Sequence, residues 1–442
     1  MEGTRQTVNA MRPGHAVPHV LGLPQPAGFP AQPRAARRPR PIDILHVHGR
    51  MARGGAEVRT VEILRHVDRR RYRFHFCAVA GVPGELDHEI RRLGGQVHLL
   101  RQSRFGFPRR FRRLLRQERI DVVHSHLHYY SGYLLRLAAE CRVPVRVAHF
   151  RSSKSDVVPG PVRRVLHGAL RLCVERYASD AIMRRWLERY ATSVLGVSRS
   201  VLVNNWGTDW QSDPRCQVVY DGIDTAPYSQ GADSLEVRRE FQLPQTAPLF
   251  VHVGRMVEPK NHGRLVSIFA EVLQRRPTAR LLLVGRMSSG RNDNTIEQYV
   301  RRRIAELGMA RAVVFAGERT DVPRLLKAAD ALIFPSLWEG LGDVVLEALA
   351  AGTPVLASDL PSIREMAARL SGIHCLSLDE PDVSWARLAE ELAAHRPSEQ
   401  QRQAALASFL GSEFTVQRCT ETLCRIWQCA PAERTEGGDG DG

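Results

Sequence analysis

Short runs of β-branched and aromatic residues alternate with stretches in which apolar positions recur every three to four residues, from about residue 41 to residue 430. The runs Asp43 to His48, Phe74 to Ala80, Val97 to Leu100, Asp121 to Ser125, Val145 to His149 and Val194 to Val197 predict strands separated by amphipathic helices. That rhythm is the signature of a parallel, doubly wound α/β sheet. A polar stretch from about Asp224 to Ala247 breaks it, and it resumes at Leu249 to Val253, Leu281 to Val284, Val313 to Phe315, Ala331 to Phe334 and Val355 to Ala357. The expected organisation is therefore a disordered extension over residues 1–40, a Rossmann-like domain over 41–223 and a linker region over 224–247. A second Rossmann-like domain over 248–411, a helix within 412–430 and a disordered tail over 431–442 complete it. The last helix, roughly Ser412 to Trp427, has a register that suits either domain. Two such sheets turn their carboxyl edges toward a common cleft, so chemistry is sought in the strand-to-helix loops.

Composition narrows the class. Of 442 residues, 25% are charged and 43% hydrophobic, which excludes a disordered or fibrous chain. The net charge of +16 is uneven: residues 1–200 hold 37 Lys and Arg against 15 Asp and Glu, a balance of +22, and the remainder carries −6. The first half thus suits an anionic partner such as a membrane surface, a phosphorylated ligand or nucleic acid. Only Lys154, Lys260 and Lys327 are lysines, and an arginine bias of that size also fits genomic base composition. The eight cysteines never stand at C-x-x-C spacing, and Cys419, Cys424 and Cys429, five apart, point about 140° from one another on a helix, so a reduced, cytosolic protein without a cysteine metal site is expected. No window approaches about 18 apolar residues and no signal-peptide pattern opens the chain, which predicts a soluble or peripheral protein.

Three loops carry candidate chemistry. After the run Ala331 to Phe334, the segment Pro335 to Glu347 holds Glu339, Gly340, Leu341, Gly342, Asp343 and Glu347; glycines at a helix start admit a phosphate or sugar, and paired carboxylates accept bonds from vicinal hydroxyls. The same two glutamates also fit a surface residue and a helix N-terminal charge, and spacing alone does not separate the readings. After Leu249 to Val253, Gly254, Arg255 and Lys260 suit a diphosphate. In the first domain, Gly54-Gly55 reads as a tight strand-to-helix turn, and His124, His126 and His149 end two strands at positions where function is common. Arg101 to Arg119 carries eight arginines and one glutamate, among them Arg109, Arg110, Arg112 and Arg113. With Phe105, Phe107, Phe111, Leu114 and Leu115 it fits either an interfacial helix on anionic lipid or an ordinary amphipathic helix with its charges in water. No credible metal site is found: Asp439 and Asp441 lie in the tail, and Asp221 and Asp224 have the wrong spacing.

At these residues the chain resembles the retaining glycosyltransferases of family 4, which have the GT-B fold of two Rossmann-like domains facing a central cleft. The resemblance covers roughly residues 42 to 428. The family's paired glutamates stand as Glu339 and Glu347, its diphosphate loop as Gly254-Arg255 and Lys260, and its landmarks as Gly196-Val197-Ser198 and Asp221-Gly222-Ile223-Asp224. Asp221 replaces a usual Asn, and Leu341 a common Phe that borders the donor sugar. Val122 to Tyr133 and Arg146 to His149 look like the exopolysaccharide-type branch.

The resemblance implies a donor domain in the second half and an acceptor domain in the first. Arg255 and Lys260 would hold the donor diphosphate and Glu347 the ribose. Glu339, with Gly340, Leu341, Gly342 and Asp343, would hold the sugar and distal phosphate. Gly54, Gly55, Gly254 and Gly285 would border the donor, His149 would sit near the reacting centre, and residues after Gly285 and around Arg319 to Val322 would face the base. It further implies no cofactor and no metal, a nucleoside-diphosphate sugar as donor, and a saccharide or lipid-linked acceptor. The expected setting is the cytoplasm, peripheral on the inner membrane face, with no nucleic-acid partner. A nucleotide-sugar epimerase, a sugar phosphorylase of the same fold, or a silent sugar-nucleotide-binding subunit are the rival readings.

Overall fold

The computed structural model of the chain describes residues 40–103, 106–152, 180–229, 234–286 and 293–429. The two terminal segments read as disordered, together with Phe105, Lys154 and Cys173, lie outside the described residues, apart from Arg40. From Pro41 onward the described residues pack as one unit.

Two all-parallel sheets organise it. The first contains β1 (Ile42–His48), β2 (Tyr72–Ala78), β3 (Gln96–Leu99), β4 (Val122–Ser125), β5 (Val145–Phe150), β6 (Ser193–Gly196) and β7 (Cys216–Val218), in the order β3-β2-β1-β4-β5-β6-β7. The second contains β8 (Leu249–Val253), β9 (Arg280–Val284), β10 (Val313–Gly317), β11 (Ala331–Phe334), β12 (Val355–Ser358) and β13 (Ile373–Leu376), in the order β10-β9-β8-β11-β12-β13. Both are doubly wound, with the order reversing between β1 and β4 in one and between β8 and β11 in the other. Ligands bind outside the carboxyl ends of strands at such switch points.

Sequence pattern and structure part at the sheet edges. β7 and β13 are not predicted, because each is short and interrupted by an exposed polar residue, Gln217 or His374, and so lacks the apolar run of a central strand. The polar stretch 224–247 contains the helices Ala226–Ser229 and Ser234–Glu240, the second packing on the helix Val322–Ala328.

The final helix, Val416–Gln428, packs on the first sheet. Its buried face (Val416, Cys419, Thr420, Leu423, Ile426, Trp427) contributes Cys419, Leu423, Ile426 and Trp427 to a core with Ile44, Phe74, Phe76, Val122 and Val147. The chain therefore crosses between the sheets twice, and the two crossings run side by side: Ile223 donates its N–H to Phe414 O at 2.8 Å, and Val416 to Ile223 O at 3.1 Å. A Cβ on Gly222 would lie 2.6 Å from Thr415 O, so close backbone approach at this crossing accounts for that glycine.

The basic segment forms the helix Phe107–Gln117, and its apolar stripe of Phe107, Phe111, Leu114 and Leu115 is buried in the first domain's core. Insertion of that stripe into lipid is thereby corrected, since the fold already uses it. Arg109, Arg110 and Arg113 are exposed, whereas Arg112 is tied to Glu140 at 2.6 Å. Among the described residues no helix is long and apolar enough to cross a membrane, and the seven described cysteines are free.

Candidate active site

The candidate loops of the second domain meet where β8 and β11 end. After β8, the chain makes the 3₁₀ turn Glu258–Lys260, passes Asn261 in the left-handed region (φ 50°), and enters the helix His262–Arg275. Asn261 fastens this turn to the other loop by donating Nδ2 to Pro335 O at 3.0 Å, and Leu337 N donates to Pro259 O at 2.8 Å. Lys260 is thereby held with Nζ 2.6 Å from Glu339 Oε1 and 4.7 Å from the Phe334 ring centroid. Arg255 is exposed at the mouth and makes no ion pair among the described residues. Gly285 has φ 141°, and a Cβ there would lie 2.1 Å from Gly254 O, so Gly285 serves a close approach of two loop backbones, whereas a Cβ on Gly254 would meet the Lys260 side chain at 3.2 Å.

Gly342, with φ 95°, turns the chain into the helix Asp343–Ala350, whose first turn carries Asp343 and whose second carries Glu347. Across the cleft, Gly54 precedes the helix Gly55–His66 with no side-chain cap. A Cβ on Gly55 would be 3.2 Å from Asp343 Oδ2, so two helix N-termini from different domains face one another. Unpaired N–H groups at such termini are suited to an oxyanion. Gly340 is pressed against the first domain: its Cβ would lie 2.0 Å from Arg151 O, and its carbonyl accepts the Ser198 hydroxyl at 2.7 Å. The Gly-Val-Ser landmark thus acts across the cleft, and Leu341 is buried beside it.

One central residue carries no sequence signal. Arg59, buried in the helix Gly55–His66, pairs with Glu347, with Glu62 at 2.7 Å and with Asp343 at 3.5 Å. Burial and the nearby Asp343 carboxylate raise the Glu347 carboxyl, and Arg59 opposes them. Arg59→Met is therefore expected to weaken nucleoside-diphosphate binding about tenfold at neutral pH, with affinity recovering as pH rises and Glu347 ionises. Titrations between pH 6 and 9 check it, and a pH-independent affinity equal to that of the wild type would contradict it.

The first domain holds a ladder of histidines at the switch point of its sheet. His46 of β1 is in register with His124 of β4. His48, His126 and His149 join them at the strand ends, and only His126 is less than fully buried. Burial pushes the imidazoles of His46, His124, His126 and His149 well down, helped by the neighbouring Arg151 and one another, so they are neutral. Two triples, His46/His48/His126 and His124/His126/His149, each bring one ring nitrogen per residue within 4.8 Å of the others. A chelate needs in-plane lone pairs converging on one point about 2 Å away. His126 instead stacks on His48 at 4.2 Å and 14° and on His124 at 4.5 Å and 17°, so its lone pairs lie in planes nearly parallel to theirs. His46 and His48 were not singled out by sequence; their alternation along β1 was the available signal.

Two expectations take a different form. Arg319 is bound to Asp321 and Glu240, each at 2.8 Å, which ties the linker helix to the second domain. Residues 287–292, expected beside the base, lie outside the described residues.

The chain as a whole is similar to known proteins. Residues 53–227 match the model of glycosyltransferase family 4, and residues 233–403 that of glycosyl transferases group 1. The chain belongs to this family of glycosyltransferases. It is 27% identical over 329 residues to the capsular polysaccharide biosynthesis glycosyltransferase CapH of Staphylococcus aureus, covering 74% of this chain and 83% of CapH. It is 29% identical over 364 residues to the putative glycosyltransferase EpsF of Bacillus subtilis, covering 80% and 88%. Among solved structures, Anabaena HepE in complex with UDP and glucose matches with a TM-score of 0.69 over 87% of this chain and 98% of that one, at 18% identity, which shows the shared GT-B fold.

Proposed function

We propose that this glycosyltransferase moves a sugar from a nucleoside-diphosphate donor, with retention at the anomeric carbon and without a metal, onto a saccharide or lipid-linked acceptor in the assembly of a surface or exported polysaccharide. The observation that carries the reading is the convergence on one cleft of Lys260, Glu339, Glu347 and the helix starts at Gly54 and Gly342. The polysaccharide assignment is supported by the name of CapH, and a uridine donor by the UDP and glucose held in HepE.

The chemistry follows from charge. As the bond from the anomeric carbon to the diphosphate breaks, negative charge grows on the departing phosphate, where Lys260, Arg255 and the helix N-termini stabilise it. The acceptor oxygen forms its bond on the same face and gives its proton to a phosphate oxygen, so no protein nucleophile is consumed. Closure of the two domains, already in contact at Gly340 and Arg151, keeps water from the donor. The exposed Arg109, Arg110 and Arg113 suit electrostatic contact with anionic lipid, without insertion.

A thermal-shift screen against UDP-, GDP- and ADP-sugars in EDTA tests the donor assignment: a UDP-sugar is expected to raise the melting midpoint most. No shift with any of them would remove the reading.

A further inference from the structure

One guanidinium stands against three carboxylates where the two domains meet. Arg59 Nη1 donates to Glu62 Oε2 at 2.7 Å, Nη2 donates to Glu347 Oε1, and Nε faces Asp343 Oδ2 at 3.5 Å. None of the four side chains is more than 19% exposed, so water screens their charges poorly. The neighbouring cations are engaged elsewhere: Arg65 with Glu89, Lys260 with Glu339 and Arg151 with Asp221. From the linker side, Asp224 adds a further carboxylate, 3.7 Å from His66, and Tyr228 adds a phenol that burial keeps neutral. One positive and three negative charges leave the group around Arg59 at −2 when every carboxylate is ionised. Burial disfavours such an excess, and a proton on one carboxylate relieves it.

Placement selects Glu62 for that proton. Asp343 opens its helix and Glu347 follows one turn later, on the end where the helix dipole favours the charged form. Glu62 lies past the middle of the helix Gly55–His66 and draws no such help from its own N-terminus. Burial pushes the Glu62 carboxyl up to about 7, with Glu347 and Asp224 adding to the effect and Arg59 and Arg65 opposing it. An anion seated between the facing helix starts at Gly55 and Asp343 lies beside Asp343, so it adds negative charge to the same buried group.

We propose that Glu62 is a proton-linked positioning residue of the nucleotide site, acting through Arg59: when a nucleoside diphosphate binds, Arg59 stays with Glu347 and the Glu62 carboxylate takes a proton from solvent to become a carboxylic acid. The inference rests on the reading of the cleft as the nucleotide site. With Glu62 neutral, the single guanidinium charge is left to hold Glu347 ionised, with Glu347 Oε2 free to accept a ribose hydroxyl.

The test is calorimetric titration of the full chain with UDP at pH 8 in two buffers of different ionisation enthalpy, which counts the protons taken up. At that pH the terminal phosphate, whose second pKa is about 6, is already ionised. The wild type is expected to take up about half a proton per UDP bound, and its affinity therefore to fall about threefold between pH 7.5 and 8.5. Glu62→Gln fixes the neutral form and still accepts from Arg59; it is expected to bind UDP with no proton uptake and with the same affinity across that range. Infrared difference spectra of the wild type on adding UDP serve if the variant does not fold: a protonated-carboxyl band is expected to grow as a carboxylate band shrinks. Saturable binding without proton uptake, equal uptake by Glu62→Gln, or no new carboxyl band would each overturn the proposal while leaving the nucleotide site standing. UDP that binds the wild type in neither buffer would instead remove the underlying reading, and the proposal with it.

Discussion

Replacing Lys260 with alanine is expected to lower donor turnover by about 10²–10³-fold while the protein stays folded. The side chain stands on a short 3₁₀ turn, is partly exposed, and makes its ion pair with Glu339 rather than with the core. Its removal therefore costs little packing. In the proposed mechanism it removes the ammonium that meets the growing charge on the diphosphate, and it leaves the Glu339 carboxylate facing that same anion without a counter-charge. Arginine at 260 keeps the charge but not the compact reach, and is expected to recover only part of the rate. Release of nucleoside diphosphate, followed beside the melting midpoint, checks this; wild-type turnover in Lys260→Ala would contradict it. Glu347 is better probed with glutamine than alanine, because truncation would strip a partner from the buried Arg59 and confuse folding with binding.

The second large effect is acid sensitivity. Burial holds His46, His124, His126 and His149 well below their ordinary value of 6.5 and pushes His252 down to about 4 and His262 to about 2. On unfolding each returns to its ordinary value and binds a proton below it. Their contribution to stability is therefore present above pH 6.5 and lost as pH falls, by about 1 kcal/mol per histidine between pH 6.5 and 5.5. Glu62 and Asp221, which burial pushes up to about 7, take up protons in the folded state over the same range and offset part of this. Glu347 and Asp330, which burial also raises, offset it further, so the net loss is at most roughly 4 kcal/mol, against the 5–15 kcal/mol typical of a folded domain. The melting midpoint is expected to drop by up to roughly 5 °C between pH 7 and 5.5. A midpoint that stays constant across that range would contradict neutral, buried imidazoles.

What the sequence disclosed, and what it hid, follows from the distance between partners. The glycine turns, Lys260 and Glu339 are legible because each sits at the end of its own strand, and the doubly wound fold brings strand ends together. Arg59 is not legible: its partner Glu347 is 288 residues away, and on its own helix it reads as one more solvated arginine. Trp427 and His124 are 303 residues apart, and only the return of the last helix onto the first sheet makes them neighbours. His46 and His48 look like ordinary strand residues until the register of β1 with β4 stacks them on one face. The basic helix shows the converse case: its local pattern fits either an interfacial helix on lipid or an ordinary amphipathic helix, and tertiary packing buries its apolar stripe as in the second.

In the function proposed above, the opposed helix starts, the Lys260–Glu339 pair and the Arg59–Glu347 pair form an anion-and-ribose site contributed by both domains. The most direct test is calorimetric titration of the full chain with UDP in the presence of EDTA, for the wild type and for a Lys260→Ala/Glu347→Gln double variant. Saturable binding by the wild type and its loss in a folded double variant are the expected results; equal binding by both, or wild-type binding only when a divalent ion is restored, would contradict the account.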